Sequence, residues 1–410
     1  MCFLKIEMET RRFNGKRLKE ALQFRGKRMT ELAESIGISK QLLSQYANGE
    51  SNPPYDNIVK IAMGLKFPFE FFMTEDFCTT TTDKTYFRSQ MSAKKLDQNA
   101  QKAKMEYVAK LYEVLLKYVD FPELNLPDVD FDESRNLFEA DSEEVMSSIE
   151  IIASAVRQYW KIGNGPIDNM QYLLESNGII VTGFKEVNNK IDAFSQRINI
   201  ENHGTVFIVA LALGEKSQAR LNFDMAHELG HILLHKWELD EEEVSKDKFS
   251  VMEKQANMFA SAFLLPREPF TRDVSLYARS IEAYRILKKK WCVSMLAMMY
   301  RARQLKIINA NQFQYMMRTM AAKGNKLWEP GDVIGQLHST IFQGAIDVLL
   351  NGDYITAKGL TDAFKEYGIC LSQEDLEDIM ALTPGTLDIS KDVSKLVRLK
   401  FTSSNEEELK

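Results

Sequence analysis

Apolar residues recur every three to four positions through the first 75 residues, a spacing that predicts a run of short helices. Gly37 breaks the pattern between helices over 29–36 and 39–47, and Ser39 is placed to cap the second. Asn48-Gly49 and Pro53-Pro54 close that helix in a turn, after which a helix over 55–65 gathers Ile58, Val59, Ile61, Ala62 and Leu65 on one side. A longer amphipathic helix is expected over 90–119, and further helices over 149–158 and 167–176 are separated by the Gly163/Gly165-Pro166 break. Strand signals are confined to the middle of the chain, in GIIVTGF (178–184), DAFSQRINI (192–200) and TVFIVALAL (205–213), and predict one small sheet. The helical period then returns over 219–235 and over 248–265, where Pro266 stops it, and continues through 271–325 into a tail after Glu329-Pro330-Gly331.

The expected class is therefore α+β and mostly α. At roughly 100–200 residues per domain, 410 residues allow two to four folding units. The boundaries drawn are a helical domain over 1–75, a helical connector with an acidic linker over 76–145, an α+β unit over 146–270, a helical subdomain over 271–325 and a helical tail over 326–410. A composition of 45% hydrophobic and 27% charged residues excludes collagen-like and wholly disordered chains. The longest apolar run, 205–214, falls short of the roughly 20 residues that span a bilayer, and the N-terminus lacks a signal-peptide core, so a cytoplasmic protein without a membrane partner is expected. Cys2, Cys78, Cys292 and Cys370 are scattered with no C-x-x-C pair, which argues against a disulfide framework and against a cysteine zinc cage.

Charge changes the picture in two places. Residues 1–66 hold twelve Lys/Arg against seven Asp/Glu, and within 11–28 eight basic residues face only Glu20, a field that suits phosphate contact. In the opposite sense, 120–144 holds ten acidic residues, one Arg, Pro122 and Pro127, and is expected to be a flexible hinge.

The densest chemistry is His227-Glu228-Leu229-Gly230-His231 within a helical pattern. Residues four apart share a helix face about 5.4 Å apart, so two imidazoles can hold one ion while the intervening Glu228 reaches a metal-bound water. A catalytic zinc site needs three protein ligands and an open position. His235 lies a further turn along and is read as a packing or supporting residue, while Leu234 and Trp237 stand where the third-histidine metalloproteases carry Gly and His. Downstream, Glu253 precedes a small face of Ala256, Asn257 and Ala260 and is the preferred third ligand. Its rivals Glu241, Glu242, Glu243 and Asp247 sit in an acidic stretch that reads as a solvated loop.

RLNFDMAHELGHILLH followed by EKQANMFASAFLLP resembles the ImmA/IrrE metallopeptidases, and GPIDNMQYLLESNGIIVTG and DAFS are similar to that family as well, over about 150–270. The resemblance implies a gluzincin-like peptidase domain, zinc on His227, His231 and Glu253, Glu228 as catalytic base, and a helix-turn-helix repressor as substrate. Manganese also suits two histidines and a glutamate. Residues 11–72 resemble the Xre, lambda-repressor-like, helix-turn-helix domain. A short helix from Ser39 would then bring Ser39, Lys40, Gln41, Ser44 and Gln45 to double-stranded DNA, with Gln41 and Gln45 reading bases and Lys40 and Arg28 touching phosphates. The phrase WCVSMLAMMYRAR, in a stretch with eight basic residues over 279–306, is helix-turn-helix-like too, but is read as a subdomain packed on the peptidase.

Two functions compete. One is a zinc endopeptidase fused to a DNA-binding domain, cutting a repressor or its own chain to derepress stress or mobile-element genes. The other is a non-proteolytic regulator or antitoxin that uses the peptidase fold as a sensor or dimer platform. The oligomeric state stays open, a homodimer included.

Overall fold

The structure is a computed structural model, and it describes residues 12–74, 81–87, 95–129, 131, 143–185, 193–200, 203–214, 216–235, 245–322, 328–390 and 392. It is mostly helical with one small sheet, the class that the hydrophobic periods predict. Four helices open it: α1 (Gly15–Phe24), α2 (Met29–Ile36), α3 (Lys40–Asn48) and α4 (Tyr55–Leu65). Their ends follow local chemistry. Ser39 accepts the Leu42 N–H to start α3, and Gly37 leaves α2 with φ at 69°, a left-handed value that a side chain would resist.

Strand β1 (Thr81–Phe87) and helix α5 (Lys95–Leu115) come next, then α6 (Glu143–Tyr159), α7 (Met170–Ser176), β2 (Ile179–Lys185), β3 (Ala193–Ile200) and β4 (Gly204–Leu213). The sheet order is β1-β3-β4-β2, with β3 antiparallel to both neighbours and β2 parallel to β4. β1 corrects the expectation that strands are confined to the middle of the chain. Its Thr- and aromatic-rich sequence suits a pleated edge, but it became a strand because β3 offers it an open edge far along the chain, which no local pattern reveals.

Two helices after the sheet, α8 (Gln218–Leu234) and α9 (Lys246–Leu264), complete the central unit. Alternation along the strands sorts the apolar residues into two cores. Ile180, Phe184, Phe194, Ile198 and Ile208 pack with α5 and the N-terminal helices, whereas Ile179, Val181, Ala193, Phe207 and Val209 pack with α8 and α9. With both faces covered, β4 reads as an uninterrupted apolar run.

The helical remainder comprises α10 (Arg267–Val274), α11 (Ile281–Trp291), α12 (Met295–Gln304), α13 (Ala310–Ala322), α14 (Thr340–Asn351), α15 (Ala357–Glu366) and α16 (Gln373–Ile379). Glu175 ties the tail to the body: fully buried, it accepts from Ser339 Oγ at 3.0 Å and from the Thr340 N–H at 2.8 Å, at the start of α14. Burial pushes its carboxyl up, against the pull of those hydrogen bonds.

The flexible hinge expected over 120–144, and the freely moving N-terminal arm that such a hinge would carry, both need correction. The N-terminal helices are not an independent arm, because Phe24 packs edge-on to Tyr107 of α5 at 5.4 Å and Arg25 forks onto Asp375 of α16 with both N···O distances at 2.6 Å. Arg17, 1% exposed, donates to the Gly368 carbonyl at 2.9 Å. The basic segment is thus partly spent inside the protein: Arg17 and Arg25 fasten the domain to the tail, while Lys16, Lys19, Lys27 and Arg28 remain exposed. The acidic linker is likewise no free hinge over its first part. The Asn125 N–H donates to the Asn177 carbonyl at 3.0 Å, Trp160 Nε1 donates to the Asn125 carbonyl at 2.8 Å, and Phe121 stacks on Tyr112. Gly178, with φ at 78°, lets this strap pass, since a Cβ there would meet the Glu123 carbonyl oxygen at 2.4 Å. The apolar Phe121, Leu124 and Leu126 find partners that the charge count conceals. Residues 132–142 lie outside the described residues.

Candidate metal centre and nucleic-acid interface

The metal-type chemistry sits where α8 crosses α9. Gly230 permits the approach: a Cβ there would stand 3.2 Å from the Ala256 Cα and carbonyl oxygen. His227, Glu228 and His231 are 0%, 1% and 3% exposed on α8, a helix buried nearly all round with its polar residues included. His227 Nε2 and His231 Nε2 lie 2.9 Å apart, His231 Nε2 lies 3.1 Å from Glu253 Oε1, and His227 Nε2 lies 3.6 Å from Glu253 Oε2. Among the described residues, this trio is the cluster whose three ligand-type atoms all come within 4.8 Å of one another. Ligands at tetrahedral zinc, each 2.0–2.1 Å from the ion, stand about 3.3 Å apart, so the donor set fits such an ion by spacing and by chemistry. Burial alone would raise the Glu253 carboxyl, but the facing imidazoles of His227 and His231 outweigh it and hold the group well below the usual carboxylate range.

Each imidazole is braced from behind. His227 Nδ1 meets Asn257 Oδ1 at 3.1 Å, and Asn257 Nδ2 donates to the Glu253 carbonyl at 2.8 Å. His231 Nδ1 meets His235 Nδ1 at 2.9 Å, and His235 Nε2 meets Gln255 Oε1 at 3.1 Å. Burial, then the neighbouring His231, pushes the His235 imidazole well below its ordinary value. Glu228 is not one of these three and accepts a hydrogen bond from Ser195 Oγ of β3 at 2.8 Å. Ser195 shares its strand face with Ala193, the face turned to α8. Sequence reasoning passed over Ser195, Asn257 and Gln255 as site residues; the quoted DAFS and QAN segments contain them, but only the fold shows what each touches. Of the rival carboxylates, Asp247 is exposed in the first turn of α9, and Glu241, Glu242 and Glu243 lie outside the described residues.

At the other end of the protein, α2, the Gly37 turn and α3 form a compact corner held by Leu32, Leu43 and Tyr46. Arg28, Ser39, Lys40 and Gln41 are exposed, Ser44 and Gln45 are half-buried, and the Ser39 hydroxyl is engaged in capping. The corner between α11 and α12 repeats this backbone: Cys292 takes a φ of 54° where Gly37 takes 69°, Val293 is buried like Ile38, and Ser294 caps α12 as Ser39 caps α3. Its leading end is blocked, however, because Glu329 accepts the Met295 N–H at 2.7 Å and the Leu296 N–H at 2.9 Å. Arg301 is fully buried against Glu150 and the Leu265 carbonyl, and Lys288 against Glu329, so this corner packs on the body as expected.

Among the described residues, no helix is long and apolar enough to cross a membrane. Residues 18–72 match the family described as helix-turn-helix, and residues 184–303 match the M78 peptidase family described as the IrrE N-terminal-like domain. The chain is similar to the HTH-type transcriptional regulator SutR of Escherichia coli (strain K12), 41% identical over 63 residues, which are 15% of this chain and 35% of the relative. It thus spans about a third of the length of the curated relative it matches. Both findings support DNA binding by the N-terminal helices. The protein carries a helix-turn-helix domain of the Xre-like kind followed by a metallopeptidase-type domain of the M78, IrrE-like family.

Proposed function

We propose that this protein is a DNA-binding regulator whose M78 domain is a zinc-dependent endopeptidase, cutting a helix-turn-helix repressor or its own chain. The observation that carries the reading is the convergence of buried His227 and His231 with half-buried Glu253, and a separate buried carboxylate, Glu228, on the same helix as the histidines and bonded to Ser195. Three protein donors leave a fourth position for water, the arrangement of catalytic and not of structural zinc. Bound there, zinc would lower the pKa of its water to about 7 and polarise a carbonyl, and manganese fits the same donors. Glu228 takes the proton of the attacking water, Ser195 fixes the carboxylate's orientation, and Asn257 and His235 hold the two imidazoles facing inward. A purely binding site has no need of a further carboxylate, buried like Glu228, on the helix of its histidines.

The domains are proposed to divide at 1–75, 76–145, 146–270, 271–325 and 326–410, with a tail whose helices clamp the DNA-binding domain. Incubating the zinc-loaded protein with helix-turn-helix repressors, with and without a chelator, tests the function by mass spectrometry. A specific chelator-sensitive cut supports it. Chelator-insensitive DNA binding with no cut in any repressor, or in the chain itself, favours the non-proteolytic regulator.

Glu253→Ala removes one of three ligands, so the variant is expected to lose zinc in equilibrium dialysis and all cleavage with it. DNA binding survives, because Glu253 sits on α9, whose apolar residues pack in the core on the far side of the sheet from the N-terminal helices. Retained zinc in this variant would remove Glu253 from the ligand set.

On the DNA side, Gln41 and Gln45 are proposed to read base edges, with Lys40 and Arg28 on phosphates and Ser39 and Ser44 lining the approach. Replacing both glutamines with Ala should relax sequence preference, each lost bidentate contact costing about 1–3 kcal/mol. Gel-shift titrations against several duplexes check it, and an unchanged ranking of duplexes would place base readout elsewhere.

A further inference from the structure

We infer that His235 and Gln255 form a relay that fixes the tautomer and ring orientation of His231, which makes His235 a positioning residue of the metal centre. The inference rests on the metal-centre reading above. His231 Nε2 faces His227 Nε2 at 2.9 Å and Glu253 Oε1 at 3.1 Å, so for a cation to sit there this nitrogen must present a lone pair and the ring proton must be on Nδ1. Nδ1 lies 2.9 Å from His235 Nδ1, and between two imidazole nitrogens one donates and the other accepts. His231 Nδ1–H therefore donates, His235 Nδ1 accepts, and the His235 proton falls on Nε2. That nitrogen lies 3.1 Å from Gln255 Oε1, an oxygen that only accepts. Every nitrogen along the line then has one consistent role, and the direction runs from the ligand outward to the amide.

His235 is not a fourth ligand, since both its ring nitrogens are engaged in this line and it lies outside the trio of convergent atoms. At 4% exposed it is out of a substrate's reach as well. The fold places it by ending α8 at Leu234: His235 adopts φ −116° and ψ 138°, leaving the helix, while its N–H still bonds the His231 carbonyl. Gln255 comes from α9, two residues after Glu253, so the helix that supplies the third ligand also anchors the brace of the second.

The experiment uses zinc alone as probe, in competition with a chromophoric chelator, on the full chain. The parent protein should bind one zinc tightly. His235→Leu removes the acceptor, and zinc affinity should drop 10–100-fold, the usual worth of a supporting partner of a metal-bound histidine. His235→Asn keeps an oxygen acceptor near the Nδ1 position and should recover most of the loss, which a merely space-filling role would not. Gln255→Met keeps the volume but not the acceptor and should weaken zinc binding too, giving a second reading if His235→Leu does not fold. Nitrogen-15 correlation of the zinc-loaded parent should show protons on His231 Nδ1 and His235 Nε2. Unchanged affinity in folded His235→Leu or Gln255→Met, or equal losses in the Leu and Asn variants, overturns the relay while the metal centre stands. A parent chain that binds no zinc overturns the metal centre itself, and the relay with it.

Discussion

Glu228→Gln is expected to keep zinc at the parental level and to slow peptide-bond cleavage by about 10²–10⁴, the usual worth of a positioned general base. The substitution is nearly isosteric, and its amide oxygen can still accept from Ser195 Oγ, which lies 2.8 Å from Glu228 Oε2. What disappears is the capacity to take a proton. Because the ligand trio does not include Glu228, metal content and cleavage separate cleanly. Zinc by elemental analysis and turnover of the repressor identified by mass spectrometry measure the two. A variant that cleaves at the parental rate would show that the proton goes elsewhere, and one that loses zinc would make Glu228 a ligand. Gel-shift affinity should not move in either event, because the site and α3 belong to different cores.

Gly230→Val is expected to damage fold and site together. On the opposing helix, backbone atoms of Ala256 would lie 3.2 Å from a Cβ at position 230, and the Phe259 Cβ would lie at the same distance. An alanine's single methyl presses on them by a few tenths of an ångström, which the gain in helix propensity over Gly, about 1 kcal/mol, roughly offsets. Valine adds two further methyls with nowhere to go, so α8 and α9 must separate, at a cost of about 1–3 kcal/mol. His231 and Glu253 ride on the two helices, and their 3.1 Å contact opens with them. The urea midpoint of the zinc-free protein should fall, and zinc affinity should fall as well, whereas Gly230→Ala stays close to the parent in both. A valine variant with parental zinc affinity would mean that the helices can part without moving the ligands, against the close packing seen here.

Much of the fold is legible in the hydrophobic pattern, for physical reasons that differ by element. The period of 3.6 marks α2, α3 and α4 because each buries one stripe, and Gly37 and Ser39 announce their turn because left-handed backbone and helix caps select few residue types. The three central strands are legible as short β-branched runs between turns. The histidine pair four apart is legible because helix geometry alone puts both on one face, and Glu253 is legible because the small residues after it announce a close helix–helix crossing.

What lay beyond the sequence depends on partners distant along the chain. β1 is a strand because β3 has a free edge for it. Residues 121–129 look like a solvated linker by charge, and they dock because Asn177, Trp160 and Tyr112 wait for them. Arg17 and Arg25 look like DNA contacts, but Gly368 and Asp375 claim them. In the site, composition and spacing single out His227, Glu228, His231 and Glu253, yet only the crossing of α8, α9 and β3 decides what stands behind them: Ser195 on Glu228, Asn257 on one imidazole and the His235–Gln255 line on the other. The facing of His227 and His231 follows from helix periodicity, a local property; what supports each is a matter of which side chains the tertiary packing brings within about 3.1 Å, and no period along a single chain encodes that.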